Sequence, residues 1–334
     1  MAIVAMEQDS LVYLRAEGIS APHAFTTRQG GVSEDHLASL NIGFSRGDSR
    51  ENVLSNYTIL GEVLGFTPDQ VAATRQTHSD IVRTVTAKDM GRGITRSPFP
   101  ECDALVTADE GVVLVIFSAD CTPILLHDPV TGIVGAAHAG WRGTAADIAG
   151  KTVAAMAALG ADPANIHAAI GPNIGQCCFE TQSDVPEAMV KVLGGQAEEF
   201  IASRGRSYYV DLKGVNKALL ERAGSAMWRS AACVPAAGRT CSGPIAAMAT
   251  SAALRERLSS AGGRPKCEKI PGAAAHDLSA AERLLDRTGR GIYPHRRCVG
   301  GFGPDRHPAP GGETGTGAGS GVLPPAVPES SEIR

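Results

Sequence analysis

The residues of this chain that are best suited to chemistry are one cysteine and two histidines at the ends of apolar segments. Cys121 ends the run "VVLVIFSADC", and His138 ends the next run, in "IVGAAHAGWRG". His78 precedes a further short apolar segment, in "RQTHSDIV". Because α/β folds build their sites where strands end, we expect these three side chains to lie close together.

Two kinds of chemistry fit this set. A thiolate and two imidazoles are an ordinary zinc ligand set, and three protein ligands leave a fourth position for water or substrate. Such a site activates water or polarises a substrate oxygen. The alternative needs no metal: Cys121 is a nucleophile and His138 is its base, as in cysteine hydrolases. Residue spacing alone leaves both alternatives open, together with a third in which each residue is simply packed in the core.

Three further polar residues lie in loops or turns suited to ligand binding. Arg28 follows a threonine pair in the Gly-rich stretch "TTRQGGVS", which is able to present it to an anion. Arg142, in "GWRG", begins a predicted helix, where backbone N–H groups and a cation together hold phosphate. Asn41 lies in "LNIGFSRGD", whose glycines allow close approach of a ligand. An ordinary surface turn is the alternative interpretation for each.

Composition excludes several classes of partner. The chain has 334 residues and a formal net charge of -4, so nothing suggests binding to nucleic acid or to an anionic membrane. The N-terminus lacks the basic and apolar regions of a secretory signal, and no apolar stretch approaches the roughly 18 residues of a membrane span. We therefore expect a cytoplasmic protein whose eight cysteines are reduced.

Hydrophobic patterning predicts one continuous α/β domain over residues 1–224. The apolar, β-branched runs 112–119 and 133–139 are typical of buried strands. Helical spacing with a terminal glycine predicts helices within 49–65, 143–160 and 184–195 and from about Leu212. Residues 225–300 lose clear periodicity, and 301–334 form a Gly/Pro-rich tail that we expect to be disordered.

Taken together, seven motifs in order over roughly residues 20–222 resemble the YfiH family. This family is also called the laccase-domain or multicopper polyphenol oxidase-like family, and its members are described as purine nucleoside phosphorylases. The resemblance implies a single-domain, layered α/β sandwich of the CNF1/YfiH type with an irregular or disordered C-terminal tail. The motifs are "TTRQGGVS", "LNIGFSRGD", "RQTHSDIV", "CDALVTADEGVVLVIFSADCTPILLHDP", "VGAAHAGWRGT", "GPNIGQCCFE" and "VDLKGVN".

The resemblance also implies a cofactor and an activity. Zinc is implied at His78, Cys121 and His138, with copper as the family's alternative metal. The implied reaction is phosphorolysis of adenosine, inosine, guanosine and methylthioadenosine, with adenosine deamination as a companion activity. The copper-oxidase label is weak for this chain, because the sequence lacks the several His-rich clusters that multicopper sites need.

Roles follow from this implied activity. Cys121, His138 and Asp120 are the catalytic candidates, and Asp120 is placed to orient a ligand or contact ribose. Arg28 and Arg142 are the candidates for binding phosphate. Asn41 is a candidate for binding ribose or phosphate, so the expected partners are purine nucleosides and phosphate.

Two other functions are also compatible with the sequence. A metal-free cysteine hydrolase or amidase would use Cys121 and His138. It is suggested by the fold's resemblance to toxin deamidases and by a proposed family role in editing peptidoglycan precursors. The other alternative is an impaired remnant of the family, because the C-terminal part of the sequence departs from the family pattern.

That departure begins close to Gly224. The family continues with a segment resembling "CTxCxPDLFxSHRR", whereas this chain reads "SAMWRSAACVPAAGRTCSGPIAAMATSAA". When codons for 232–250 are read from the third base of each codon, the genetic code permits "LCTRCRPDLFWSHRRHGD". So long an agreement with the family predicts a frameshift near Gly224, and residues after it are given no role.

Overall fold

The computed structural model describes residues 3–225, 227–230 and 245–250, and the following helices and strands all lie in this part of the chain. The strands, in chain order, are β1 (Ile3–Gln8), β2 (Leu11–Ala16), β3 (His23–Thr26), β4 (Val71–Ala73), β5 (Val82–Thr84), β6 (Ala104–Thr107), β7 (Val113–Ser118), β8 (Thr122–His127), β9 (Val134–Ala139), β10 (His167–Ile170), β11 (Glu180–Thr181), β12 (Ile201–Arg204), β13 (Ser207–Val210), β14 (Met227–Ser230) and β15 (Ile245–Thr250). The α-helices are α1 (Arg50–Leu64), α2 (Trp141–Ala145), α3 (Ile148–Ala158), α4 (Asp184–Leu193) and α5 (Leu212–Arg222).

In the part of the chain that the structure describes, the strands form two six-stranded sheets and one small sheet. The first sheet has the order β1-β2-β3-β15-β7-β4, and the second has the order β14-β10-β8-β9-β6-β5. The small sheet has the order β11-β13-β12. All described residues belong to one compact unit, Met1–Leu285, which agrees with the predicted single domain.

The layers follow from which side chains share a core. Leu114 and Ile116 of β7 meet Leu125 of β8 and Ala136 of β9 in a core between the two large sheets. Helix α1 packs on the outer face of the first sheet, where Tyr57 is fully buried. Helices α3, α4 and α5 cover the outer face of the second sheet. The predicted layered α/β sandwich is therefore confirmed.

The continuous apolar runs are explained by burial on both faces of each sheet. Along β7, Val113 and Val115 face the core under α1, while Leu114 and Ile116 face the core between the sheets. A strand covered on both sides needs apolar residues at every position rather than at alternate ones. The predicted strands over 112–119 and 133–139 are present as β7 and β9.

The helices begin and end largely where the sequence predicts. Ser49 caps α1 by accepting a hydrogen bond from the Asn52 amide, and Gly65 ends it in the left-handed conformation. The segment 143–160 differs from the prediction, because it divides into the end of α2 and the longer α3. Asp147 separates them with a φ of 59° and caps α3 through the Gly150 amide.

Two of the described strands lie beyond Gly224. β14 pairs in parallel with β10, and β15 lies between β3 and β7 in the first sheet. The predicted tail 301–334 and most of the segment 225–300 lie outside the described residues. No helix among those that the structure describes combines the length and the apolar character of a membrane span.

Candidate metal centre

The three predicted ligands come together where strands of the two large sheets end. Cys121 lies in the short connection between β7 and β8, and His138 is the second-last residue of β9. Antiparallel pairing places His138 opposite Pro123, two residues from Cys121. His78 follows β4, which is parallel to β7, so its loop leaves the first sheet at the same edge.

The side chains form a compact cluster. One ligand atom from each of His78, Cys121 and His138 lies within 4.8 Å of the others. Sγ of Cys121 is 3.7 Å from Nε2 of His78. The two imidazole rings meet edge to face, with centroids 5.0 Å apart. His138 is buried, Cys121 is half-buried and His78 is exposed, so the cluster is reached from one side.

A fourth residue, Asp103, organises this cluster. Its Oδ1 accepts hydrogen bonds from Nδ1 of His138 at 2.8 Å and from the amide of His78 at 3.0 Å. Its Oδ2 accepts from the amides of Thr77 and Ser79 and from the Ser79 hydroxyl. Asp103 itself is fully buried. It lies directly before β6 in the motif "CDALVT", but its type and position carry no sign of this role.

These hydrogen bonds determine the charges at the cluster. Burial opposes ionisation of Asp103, but the hydrogen bonds from His138, Ser79 and Thr77 outweigh it and hold its pKa far below the ordinary value. Burial also disfavours the charged form of His138, yet its hydrogen bonds to Asp103 and Cys121 raise its pKa to about 9. Because ionised Asp103 only accepts hydrogen bonds, it keeps a ring proton on Nδ1, so Nε2 is the nitrogen that gives up its proton when His138 binds a metal.

The His78 ring is in a different environment. Burial first, and then the nearby charges of His138 and Arg142, lower the pKa of His78, although Asp103 opposes this. Its backbone is left-handed, with a φ of 62°, which is uncommon for a residue other than glycine. A lowered pKa favours the neutral imidazole that binds metals.

A comparison with known proteins places the chain in a family. A model of the family described as multi-copper polyphenol oxidoreductase laccase matches residues 22–237. The chain belongs to this family.

Individual relatives agree with the assignment. A protein named purine nucleoside phosphorylase, from Deinococcus radiodurans, is 44% identical over 229 residues, which cover 68% of this chain and 85% of that protein. A protein from an unknown prokaryotic organism, named adenosine deaminase RL5, is 35% identical over 214 residues, covering 63% and 81%. The crystal structure of YfiH from Bacillus licheniformis has a TM-score of 0.68 at 29% identity and covers 73% of this chain and 97% of that one. The predicted resemblance to the YfiH family is confirmed.

Within the laccase-family fold, Asp120 and Arg142 lie beside the cluster. Asp120 directly precedes Cys121, is half-buried, and accepts a hydrogen bond from the amide of Ile174 at its carbonyl oxygen. Arg142 is exposed in the first turn of α2, and its guanidinium lies 4.3 Å from the centroid of the Trp141 ring. The charge of Arg142 acts on His78, so this arginine is near the three predicted ligands.

Arg28 lies at the same edge of the first sheet as the cluster but farther from the three predicted ligands than Arg142 does. It follows β3, whose Phe25 pairs with Ala247 of β15, which in turn pairs with Ile116 of β7. Because of this register, the chain leaves β3 at the same edge of the sheet at which β7 ends, with β15 between the two strands. The Arg28 Nε donates a 2.7 Å hydrogen bond to the carbonyl of Ala38, while the residue stays half-exposed.

Asn41 has a structural function in its own loop. It is buried, its Nδ2 donates to Asp48 at 2.9 Å and to the Gly43 carbonyl at 3.3 Å, and its Oδ1 accepts from the Gly43 amide. These bonds shape the predicted "LNIGFSRGD" loop. A contact from Asn41 to ribose or phosphate stays a prediction.

Proposed function

We propose that this chain is a zinc-dependent purine nucleoside phosphorylase with a companion adenosine deaminase activity, and that His78, Cys121 and His138 hold the metal. One observation carries the proposal: the three ligand atoms lie within 4.8 Å of one another. The names of the relatives support the two reactions, since one is called a purine nucleoside phosphorylase and another an adenosine deaminase.

The residues present fit a zinc ion. One sulfur and two imidazole nitrogens are zinc's usual donors, and three of them leave a position open for a substrate or water. Gly140 leaves the cluster its space, because a Cβ at this position would lie 2.7 Å from Cδ2 of His78 and 3.2 Å from Sγ of Cys121. When bound there, zinc supplies a Lewis acid that polarises an oxygen of the substrate or of water.

The chain's own residues supply the remaining chemistry. Asp103 holds the His138 proton on Nδ1. Arg142, at the exposed side of the cluster, and Arg28, at the same sheet edge, supply the positive charge that a phosphate needs beside the metal. Asp120 contributes a carboxylate on the same loop as Cys121, where it contacts a ribose hydroxyl or orients a ligand.

A metal analysis combined with an activity assay tests the proposal. We expect about one zinc per chain and phosphate-dependent conversion of adenosine and inosine to free base and ribose 1-phosphate. Cys121→Ser and His78→Ala are expected to lose both the zinc and the phosphorolysis. The matched control is Cys177→Ser, which changes an exposed cysteine outside the cluster. A wild-type chain without metal, or one equally active after chelation, would contradict the proposal.

One observation also favours the metal-free alternative. Cys121, His138 and Asp103 follow one another through hydrogen bonds in the order of a nucleophile, its base and the carboxylate that orients the base. His78 distinguishes the two functions, because a nucleophilic pair does not need this second imidazole. A cysteine hydrolase keeps its activity when all metal is removed and when His78 is replaced by alanine.

A further inference from the structure

We infer that Asp103 is the positioning residue of the metal centre and sets the orientation of two of its three ligands. This inference rests on the proposed function, and it concerns a residue that touches neither substrate nor metal. The Asp103 carboxylate accepts a hydrogen bond from the imidazole ring of His138 and another from the backbone amide of His78. A single buried carboxylate therefore joins the end of β9 to the loop that follows β4.

The contact to His138 is doubled. Nδ1 of His138 donates to Oδ1 of Asp103 at 2.8 Å, and the amide of His138 donates to the carbonyl of Asp103, also at 2.8 Å. The ring is thus fixed in position and in tautomer, with Nε2 directed to the cluster. Outer hydrogen bonds of this kind, from a carboxylate to a ligating histidine, orient the ring and make it a better ligand.

The contact to His78 acts through the loop. The Asp103 carboxylate accepts hydrogen bonds from the amides of Thr77, His78 and Ser79 at 3.0, 3.0 and 2.9 Å. Three successive N–H groups therefore converge on it. His78 in their centre has the uncommon left-handed φ of 62°. A conformation of this kind persists only where its surroundings hold it, and Asp103 supplies that hold.

Asp103→Asn tests this role, because an asparagine is unable to accept all the hydrogen bonds that Asp103 accepts from His138 and from the His78 loop. If its amide nitrogen replaces Oδ2, it faces the N–H groups of Thr77 and Ser79, and a nitrogen of this kind is unable to accept their hydrogen bonds. If the nitrogen replaces Oδ1, it donates to Nδ1 of His138 and moves the ring proton to Nε2, the atom needed for the metal. Either orientation disturbs a ligand, although the side chain keeps its size.

Asp128 offers a matched control. It is also fully buried, and its carboxylate accepts the amides of Val130 and Asp162 at 2.8 and 3.1 Å. It follows β8 at the end opposite to Cys121, so it belongs to the other edge of the sheet. Asp128→Asn removes a comparable structural carboxylate without touching the cluster.

The test is a zinc titration against a chromophoric chelator, with the cobalt-substituted spectrum as a second readout. We expect Asp103→Asn to weaken zinc binding by about 10- to 100-fold and to shift the cobalt bands, while Asp128→Asn stays within about twofold of wild type. Equal zinc affinity in the Asp103 variant and wild type would overturn the inference.

A measurement on the wild-type chain covers the case in which Asp103→Asn does not fold. Nitrogen-15 NMR of the histidine rings is expected to show a proton on Nδ1 of His138 both with and without bound zinc. An Nδ1 that carries no proton would overturn the inference. If the wild-type chain binds no zinc but shows the Nδ1 proton, the proposed function fails while the positioning of His138 stands.

Discussion

Gly140 lies directly against the ring of His78. A Cβ at Gly140 would stand 2.7 Å from Cδ2 of His78, a separation that real Cβ atoms do not show. The backbone of Gly140 has ordinary angles, with φ of -67° and ψ of 167°, so a side chain is excluded by the neighbouring ring rather than by the backbone.

Gly140→Ala is expected to displace His78 from the cluster. Because the backbone accepts alanine, the methyl group has to push the ring away, and a displacement of about 1 Å lowers activity by about 100-fold. Bound zinc per chain and kcat/KM for inosine phosphorolysis measure the effect. Gly195→Ala is the control, since nothing lies within 4 Å of a Cβ there. Wild-type zinc content and activity in Gly140→Ala would refute the prediction.

Arg28→Ala is expected to raise the KM for phosphate by about 10- to 100-fold with a smaller change in the KM for the nucleoside. The reason is that a hydrogen bond to a charged group is worth about 1.5–3 kcal/mol. Steady-state kinetics at varied phosphate concentration provide the measurement, and thermal unfolding checks the loss of the bond to Ala38. Arg204→Ala removes an exposed arginine at the small sheet as a control. An unchanged phosphate dependence removes Arg28 from the site.

His23 is expected to destabilise the fold as the pH falls. Its Nε2 accepts the Ala16 amide at 2.8 Å and its Nδ1 donates to the Ala21 carbonyl at 2.8 Å, so only the neutral ring satisfies both bonds. Burial is the main cause that lowers its pKa to about 4. The unfolded chain, with an ordinary pKa of about 6.5, therefore binds more protons between these values, and stability decreases from about pH 6.5 down to about pH 4.

The measurement is the free energy of unfolding by urea at pH 7 and pH 5. His23 contributes a loss of about 2 kcal/mol between these two values. His23→Gln is expected to unfold more easily at pH 7 but to lose less stability on acidification than wild type. His36→Gln, at an exposed position, should keep the wild-type pH dependence. The same slope in all three proteins would speak against this account.

The predicted frameshift has its own test. Resequencing the gene across the codons near Gly224 is expected to reveal an insertion or deletion relative to related genes. A protein carrying the shifted reading, with "LCTRCRPDLFWSHRRHGD" in place of the sequence from Ala232, is expected to be more stable and more active than the present chain. An intact reading frame in resequencing, together with no gain in the rebuilt protein, would refute the frameshift.

Much of the site was predictable from local sequence. Cys121 and His138 are identifiable because each is a ligand-type residue at the end of an apolar run, and His78 because it is one just before such a run; runs of this kind begin and end at a sheet edge. The strands β7 and β9 were predictable for the same reason, since burial on both faces demands apolar residues throughout. The break between α2 and α3 was not predictable, because the helical spacing of apolar residues continues across Asp147.

Only the tertiary structure showed which buried group forms hydrogen bonds to the predicted ligands. Asp103 is 25 residues from His78 and 35 from His138. The pairing of β6 with β9 brings its carboxylate to His138, and the pairing of β6 with β5 brings it to the His78 loop. The structure also decided the partners of Asn41, since the amide of this buried side chain bonds to Asp48 and Gly43 within its own loop. Residue type and spacing determine which groups are able to bind a metal, whereas strand register determines which buried groups orient them.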